Sequence, residues 1–280
     1  MNQSKQCSNK KEKAASASSS NIADRYDSSM NQQLSPTIST YNSLSLAIVS
    51  TDQSSGSSNL YNTCRMIRTI PFIVHMTLFL TFGLSFIYSF VIEIMNGRFA
   101  MLNFIYLTHW NLTFQVFFCG MELIADINQS FAHRTQAFRS KLFHSIIFPF
   151  CTFVCAFFWT VCMVDPLLVR PANPEEQSVD WYNHVVHTLI VPAVILQSMA
   201  KYYPPIDLME SFTITGLFGC IYACWSIMWG ITFNIWSYQL FRTITAYGFV
   251  LLVLLSTLLL CALNNLGRVL HQSLWTLDNR

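Results

Sequence analysis

A threonine and a histidine in two separate apolar segments are the residues of this chain best suited to joint chemistry. Thr108 lies near the start of one segment and His187 near the start of another. A threonine hydroxyl is a poor nucleophile until a base takes its proton, and a neutral imidazole is the usual base at about pH 7. Within a membrane, such a pair would meet the ester or amide of a lipid rather than a soluble peptide.

The segment around Thr108 carries a stripe of polar side chains. Thr108, Asn111, Gln115, Glu122 and Asp126 fall within about 60° of one another on a helix that turns roughly 100° per residue. Because hydrocarbon does not accept such a stripe, we expect it to face other helices or a water-filled cavity. Asn111 and Gln115 are candidates to support the site, and Glu122 and Asp126 are expected to reach the cytosolic interface.

The segment around His187 opens with a motif that combines interfacial aromatic residues with polar ones. It reads Trp181-Tyr182-Asn183-His184-Val185-Val186-His187-Thr188. The spacing predicts that His184, His187 and Thr188 share one helical face. A lone histidine there is usually structural, whereas two histidines one turn apart favour a functional site. His184 is a candidate to orient His187 or bind substrate, and Asn183 is a candidate hydrogen-bond donor to an oxyanion.

The composition indicates a membrane protein that positions these segments in a helical bundle. The chain is 52% hydrophobic and only 11% charged, against about 25% charged residues in a soluble domain. Its net charge of +2 is too small to indicate a nucleic-acid partner. The prediction is an all-α, polytopic bundle of about six transmembrane helices, each of about 20 residues. They are expected at 69–93, 103–126, 143–164, 183–200, 212–231 and 244–265.

The N-terminal region differs sharply in composition. Residues 1–60 contain 17 serines and few large apolar side chains, so they cannot bury enough surface to offset the entropy of ordering. We therefore predict a disordered cytosolic tail over 1–66, a transmembrane domain over 67–270 and a short C-terminal tail over 271–280. Most cysteines fall in apolar runs and no zinc-type CxxC pair occurs, so neither a metal nor another cofactor is expected.

The distribution of lysine and arginine predicts the orientation in the membrane. With the N-terminus inside, the inner side holds 13 basic residues and the outer side 3. Both termini and the loop at 127–142 are then cytosolic, in the plasma membrane or the endoplasmic reticulum. Thr108 and His187 each lie about five residues into their helices from the outer side, at a similar depth of roughly 6–10 Å. Helix packing alone would also account for all of these polar residues.

Several short motifs, in matching order and spacing, resemble the androgen-induced protein family over roughly residues 67–270. They are Tyr106-Leu107-Thr108 with Leu112 and Gln115, Ala125-Asp126, Phe148-Pro149, Phe157-Phe158-Trp159 with Asp165, and the motif at 181–188. The resemblance implies a multi-pass intramembrane hydrolase that splits fatty acid esters of hydroxy fatty acids. It also implies that Thr108 is the nucleophile and His187 the catalytic histidine. The substrate would come from the bilayer, and no obligate protein partner is implied.

The chain departs from the family pattern in three places. Its Ser-rich tail is longer than the usual N-terminus, and the stretch 224–230 lacks the histidine pair expected in the fifth helix. The motif Trp236-Ser237-Tyr238 lacks the proline expected after it. These differences concern the substrate pocket and leave the proposed pair of catalytic residues intact.

Two other functional classes remain open at the level of sequence. Intramembrane histidines are typical of haem-binding redox proteins, but the fifth and sixth predicted spans contain none, and His75 and His109 have no evident partners. A non-enzymatic receptor or scaffold is the other alternative, since the Ser-rich tail would suit partner binding.

Overall fold

The computed structural model describes residues 57–97, 99–169 and 180–277, and within these ranges the chain is helical and contains no β-strand. Most of the predicted tail lies outside the described residues. The helices are α1 (Ser57–Met95), α2 (Leu107–Ile127), α3 (Gln129–Leu142), α4 (Phe148–Val164), α5 (Asp180–His184), α6 (Ile190–Ala200), α7 (Leu208–Phe233), α8 (Leu240–Thr243) and α9 (Ala246–Leu277).

Five stretches of helix among the described residues are long and apolar enough to cross a membrane. They are Thr69–Met95, Gln129–Val164, Asp180–Ala200, Leu208–Phe233 and Tyr247–Thr276. The remaining predicted span is α2, which is less apolar because it carries the polar stripe and is largely buried among the other helices. The fold is therefore the predicted all-α, polytopic membrane bundle. The first and last helices extend well beyond the predicted spans, since α1 begins at Ser57 and α9 continues to Leu277.

The segment predicted as a loop at 127–142 is helical instead. Asn128 ends α2 and caps α3, since its side chain accepts a hydrogen bond from the Phe131 N–H at 3.1 Å. A π-helical turn, Phe143–Ile147, then joins α3 to α4. The segment is polar, but its Gln, Ala, Arg and Lys residues are good helix formers, so its polarity marks an exposed helix rather than a break in the helix.

Carboxylates at the C-terminal end of α2 form a buried ionic network rather than reaching solvent. Arg139 pairs with Glu122 at 2.7 Å, and the Lys201 ammonium contacts Glu122 at 2.8 Å and Asp126 at 2.7 Å. His75 of α1 lies 2.7 Å from Asp126. The expectation that Glu122 and Asp126 reach the interface is wrong, because cations from α3 and the end of α6 neutralise them inside the bundle. The network fixes how α2 is rotated relative to its neighbours.

Helices α4 and α9 approach closely at a glycine. A Cβ atom on Gly267 would lie 2.3 Å from the ring of Phe148, which is buried at the start of α4. Only a glycine leaves room for that ring. The close approach brings α4 and α9 together as two walls of the cavity described next.

Candidate functional site

A cavity of about 200 Å³ lies between the N-terminal end of α2 and helices α4, α7 and α9. Its walls are mainly aromatic and aliphatic, with contributions such as Phe153, Leu252 and Leu260. Thr108 and His187 both line it, and each side chain is only 6% exposed. The structure therefore brings these two residues, which are 79 positions apart in the chain, to one apolar chamber.

Thr108 is the second residue of α2, and its position depends on how that helix begins. A 3₁₀ turn, Ala100–Ile105, precedes α2. The Tyr222 hydroxyl of α7 accepts a hydrogen bond from the Leu107 N–H at 3.1 Å and donates one to the Ile105 carbonyl at 3.2 Å. This contact fixes the start of α2 against α7. It also puts Thr108 in the first turn of a helix, where the helix dipole favours developing negative charge.

His187 lies in a second π-helical turn, Val185–Leu189, which joins α5 to α6. Its ring stacks on Phe158 of α4, with ring centroids 3.6 Å apart and planes within 4°. Stacking on a rigid aromatic ring restricts the rotation of the imidazole. Turns of this kind occur frequently at functional sites, because the extra residue redirects a side chain.

The sequence predicted three side chains on one helical face, and the same π turn separates one of them from the other two. His184 and Thr188 are exposed, whereas His187 is buried. His184 Nδ1 lies 3.2 Å from the Thr188 hydroxyl, which also accepts a hydrogen bond from Trp159 Nε1 at 3.1 Å. The predicted common face holds for His184 and Thr188 but is wrong for His187, because the spacing assumed a regular α-helix. His184 does not line the cavity.

Three further predicted site residues are buried but lie outside the cavity lining. Asn111 accepts a hydrogen bond from the Cys151 thiol at 3.3 Å, and the Gln115 side chain bonds to Gln197 at 3.4 Å. Asn183 is also buried, on α5. The stripe on α2 therefore faces other helices as expected. Thr108 is the only residue of this stripe that lines the cavity.

The other buried histidines have partners that the sequence did not reveal. His75 pairs with Asp126, and His109 lies 3.3 Å from the Tyr182 hydroxyl. The expectation that the last span lacks histidine is wrong, because α9 extends through His271. His271 Nε2 accepts the Tyr203 N–H at 2.9 Å, so in the neutral ring Nδ1 carries the proton and donates to the Ser198 hydroxyl at 3.0 Å. His271 is thus a hydrogen-bond donor to Ser198 and not its base.

Tyr238 is a cavity residue that sequence reasoning did not assign to the site. It follows α7 in the irregular segment before α8, is partly buried, and lines the cavity together with Thr108 and His187. Its phenol is close enough to interact with the Thr108 side chain. Helical periodicity cannot identify such a residue, since it lies outside any regular helix.

Two comparisons with known proteins, one with family models and one with individual proteins, point to the same family. Residues 70–272 match the protein-family model described as FAR-17a/AIG1-like protein. The androgen-dependent TFPI-regulating protein of Mus musculus is 28% identical over 176 residues, which cover 61% of this chain and 76% of that protein. The Homo sapiens protein of the same name is 24% identical over 179 residues, with the same two coverages of 61% and 76%. The androgen-induced gene 1 protein of Homo sapiens is 22% identical over 182 residues, again covering 61% and 76%. No solved structure matches the chain significantly.

Proposed function

This chain belongs to the FAR-17a/AIG1-like protein family, and from that premise we propose that it is an intramembrane lipid ester hydrolase. Thr108 is the nucleophile and His187 is the general base. The substrates are fatty acid esters of hydroxy fatty acids, the class that the resemblance implies. The observation that carries the proposal is that Thr108 and His187 line one apolar cavity between membrane-spanning helices.

The character of the cavity supports a lipid substrate. Most of its lining side chains are apolar, as expected for a site that buries an acyl chain. Thr108 is at the end of the cavity where α2 begins, so an ester group that reached it would leave its acyl chain in the apolar part. The first turn of α2 adds a favourable potential for the negative charge that forms on the carbonyl oxygen.

The first half of the reaction is transfer of the acyl group to the enzyme. His187 takes the proton of the Thr108 hydroxyl as the oxygen attacks the ester carbonyl, and the carbonyl π electrons move onto its oxygen. Collapse of this tetrahedral intermediate breaks the bond to the alcohol oxygen. The leaving alkoxide takes the proton from His187, which releases the hydroxy fatty acid and leaves an acyl ester on Thr108.

The second half returns the enzyme to its starting state. His187 takes a proton from water as the water oxygen attacks the acyl ester. The new tetrahedral intermediate expels the Thr108 oxygen, which recovers its proton from His187. One ester and one water have then become a fatty acid and a hydroxy fatty acid, with no cofactor consumed.

A fluorophosphonate probe tests the nucleophile directly, because it reacts with activated hydroxyl groups and leaves a stable adduct. The purified protein should be labelled on Thr108, as mapped by peptide mass spectrometry. The Thr108→Ala variant should lose both labelling and ester hydrolysis. The matched control is Thr113→Ala, since Thr113 is on the same helix and donates to the His109 carbonyl of its own helix at 2.7 Å. Hydrolysis by Thr108→Ala at close to the wild-type rate would refute the proposal.

A further inference from the structure

The segment that carries Tyr238 is fixed directly to the start of α2. The hydroxyl of Ser237 donates to the Ile105 carbonyl at 3.0 Å and lies 2.5 Å from the Ser226 hydroxyl of α7. The Trp236 ring covers Gly230 so closely that a Cβ atom there would lie 2.6 Å from the ring. The residues just before Tyr238 are therefore held by α7 and by the chain that leads into Thr108.

Aromatic neighbours hold the ring of Tyr238 in place. Its centroid lies 5.9 Å from that of Tyr106, 5.8 Å from that of Phe157 and 5.6 Å from that of Phe241. With the backbone anchored and the ring enclosed beside Tyr106, the hydroxyl has little freedom to move away from the neighbouring Thr108 side chain. Such a fixed donor beside a reacting atom is what stabilisation of a transition state requires.

Several other hydroxyl groups of the cavity are engaged elsewhere. The Thr215 hydroxyl donates to the Ser145 carbonyl at 2.7 Å, and the Thr257 hydroxyl donates to the Val253 carbonyl at 2.8 Å. Ser226 is paired with Ser237, and Tyr222 donates to Ile105. Tyr238 differs from these groups because its phenol interacts with the Thr108 side chain.

We propose that the Tyr238 hydroxyl is the hydrogen-bond donor that stabilises the oxyanion formed when Thr108 attacks the ester. This inference rests on the proposed function and adds a catalytic residue to it. In the resting site the phenol lines the cavity beside the Thr108 side chain. As the new bond between Thr108 and the carbonyl carbon forms, the carbonyl oxygen becomes negative next to that hydroxyl and accepts its hydrogen bond. No proton leaves Tyr238 in this step, so the transfers between Thr108, His187 and the leaving alkoxide are unchanged.

The role needs a phenol that keeps its proton. Burial raises the pKa of the Tyr238 phenol well above its usual range, and this outweighs the opposing effect of the Thr108 side chain. The hydroxyl therefore remains a donor throughout the physiological pH range. A donor that does not titrate contributes to the rate without adding an inflection to its pH dependence.

The test is Tyr238→Phe in the full-length protein, because phenylalanine keeps the ring and removes only the hydroxyl. We expect kcat for ester hydrolysis to fall by on the order of 100-fold, the loss typical of one oxyanion donor, while KM changes little. The rate of fluorophosphonate labelling should fall in parallel, since the tetrahedral adduct also carries an oxygen in the oxyanion position. The melting temperature in detergent should stay close to that of the wild type.

Tyr247→Phe is the matched control, because Tyr247 is 90% exposed and outside the cavity. It should retain wild-type kinetics. Thr108→Ala is measured beside both variants. If Thr108→Ala is inactive but Tyr238→Phe keeps at least half of the wild-type kcat, the inference about Tyr238 is wrong and the proposed function stands. A loss in Tyr238→Phe that comes with a lower melting temperature and a higher KM would show a packing role, and would also overturn the inference.

Discussion

At the scale of single residues, the polar groups of α2 divide according to what they contact. Asn111 and Gln115 bond to residues of facing helices, and Glu122 belongs to the ionic network. Thr108 borders the cavity instead. The first three are polar residues that hold helices together, which is the common use of such groups in membranes, while Thr108 is available to a ligand.

The two histidines of the motif at 181–188 should differ in their effect on activity. His187→Ala should abolish ester hydrolysis, because it removes the proposed base from the cavity. His184→Ala should have a small effect, because His184 is exposed and bonded to Thr188. The two variants are compared by their initial rates of hydrolysis, normalised to the amount of inserted protein. A larger loss in His184→Ala than in His187→Ala would contradict the assignment.

Thr108 and His187 should also behave as one unit when both are changed. Residues that act together lose activity non-additively, so Thr108→Ala combined with His187→Ala should be no less active than either single variant. Thr108→Ser should retain part of the activity, since the nucleophilic oxygen survives. A complete set of rates for the four variants tests the pairing. Losses that simply multiply would indicate two independent roles.

At the scale of secondary-structure elements, α7 forms one wall along the length of the cavity. It lines the cavity from Ser226, near the start of α2, to Thr215 and Gly216. Tyr222, which contacts the start of α2, and Thr215 are seven residues apart, or about 10 Å along the helix. The cavity therefore extends from Thr108 toward the other end of the bundle. An acyl chain bound there would end near Gly216.

Gly216→Leu should shorten the range of acyl chains that the proposed hydrolase accepts. A Cβ atom on Gly216 would have nothing within 4 Å, so the new side chain fills open space without displacing its neighbours. We expect kcat/KM for long-chain esters to fall about tenfold or more relative to short-chain esters. Gly83→Leu is the matched control, because Gly83 also has open space around it but is on α1, outside the cavity. An equal loss for all chain lengths would show that no chain reaches Gly216.

The ionic network should contribute much more to stability than an exposed ion pair on the same helix. Arg139→Met leaves the fully buried Glu122 carboxylate with only Lys201, and we expect the free energy of unfolding to fall by roughly 3 kcal/mol. Lys141→Met removes a pair with Glu210 in which both side chains are more than 40% exposed, so it should cost less than about 1 kcal/mol. Thermal unfolding of the two variants in detergent measures the loss of stability in each. Similar costs would mean that the network is not a structural anchor of α2.

At the scale of the whole molecule, the two ends of α2 differ in chemistry. Thr108 is at one end, and the network around Glu122 and Asp126 lies 14 to 18 residues away, about 20–27 Å along the helix. The basic residues predict that the network end faces the cytosol. In that orientation, the end of the cavity that contains Thr108 is near the outer leaflet.

A glycosylation assay tests this orientation. A Gly-Ser insert carrying an Asn-x-Thr sequon after Asn173 should be glycosylated, because the predicted topology puts this segment outside. Gln33→Thr, which completes a sequon at Asn31 in the N-terminal tail, should not be used. Both results are read as a mobility shift that endoglycosidase removes. The opposite pattern would reverse the topology and turn the Thr108 end toward the cytosol.

The sequence by itself determined the class of fold and the inward face of α2. Long apolar runs and the low charge content predict membrane helices, because a bilayer accepts few other backbones. The periodicity of α2 identified its inward face, since a helix places residues of one stripe together whatever surrounds it. Thr108 could thus be assigned to the interior of the bundle before any contact was known, whereas its pairing with His187 came from the resemblance and stays a prediction.

Only the tertiary structure decided how side chains distant in the chain combine. It showed that the polar segment at 127–142 is helical, that a π turn separates His184 from His187, and that Lys201 and Arg139 neutralise the carboxylates of α2. It also brought Tyr238 to Thr108. None of these features can be predicted from the periodicity of a helix. Contacts between residues far apart in sequence depend on how whole helices pack, and a local pattern carries no information about that packing.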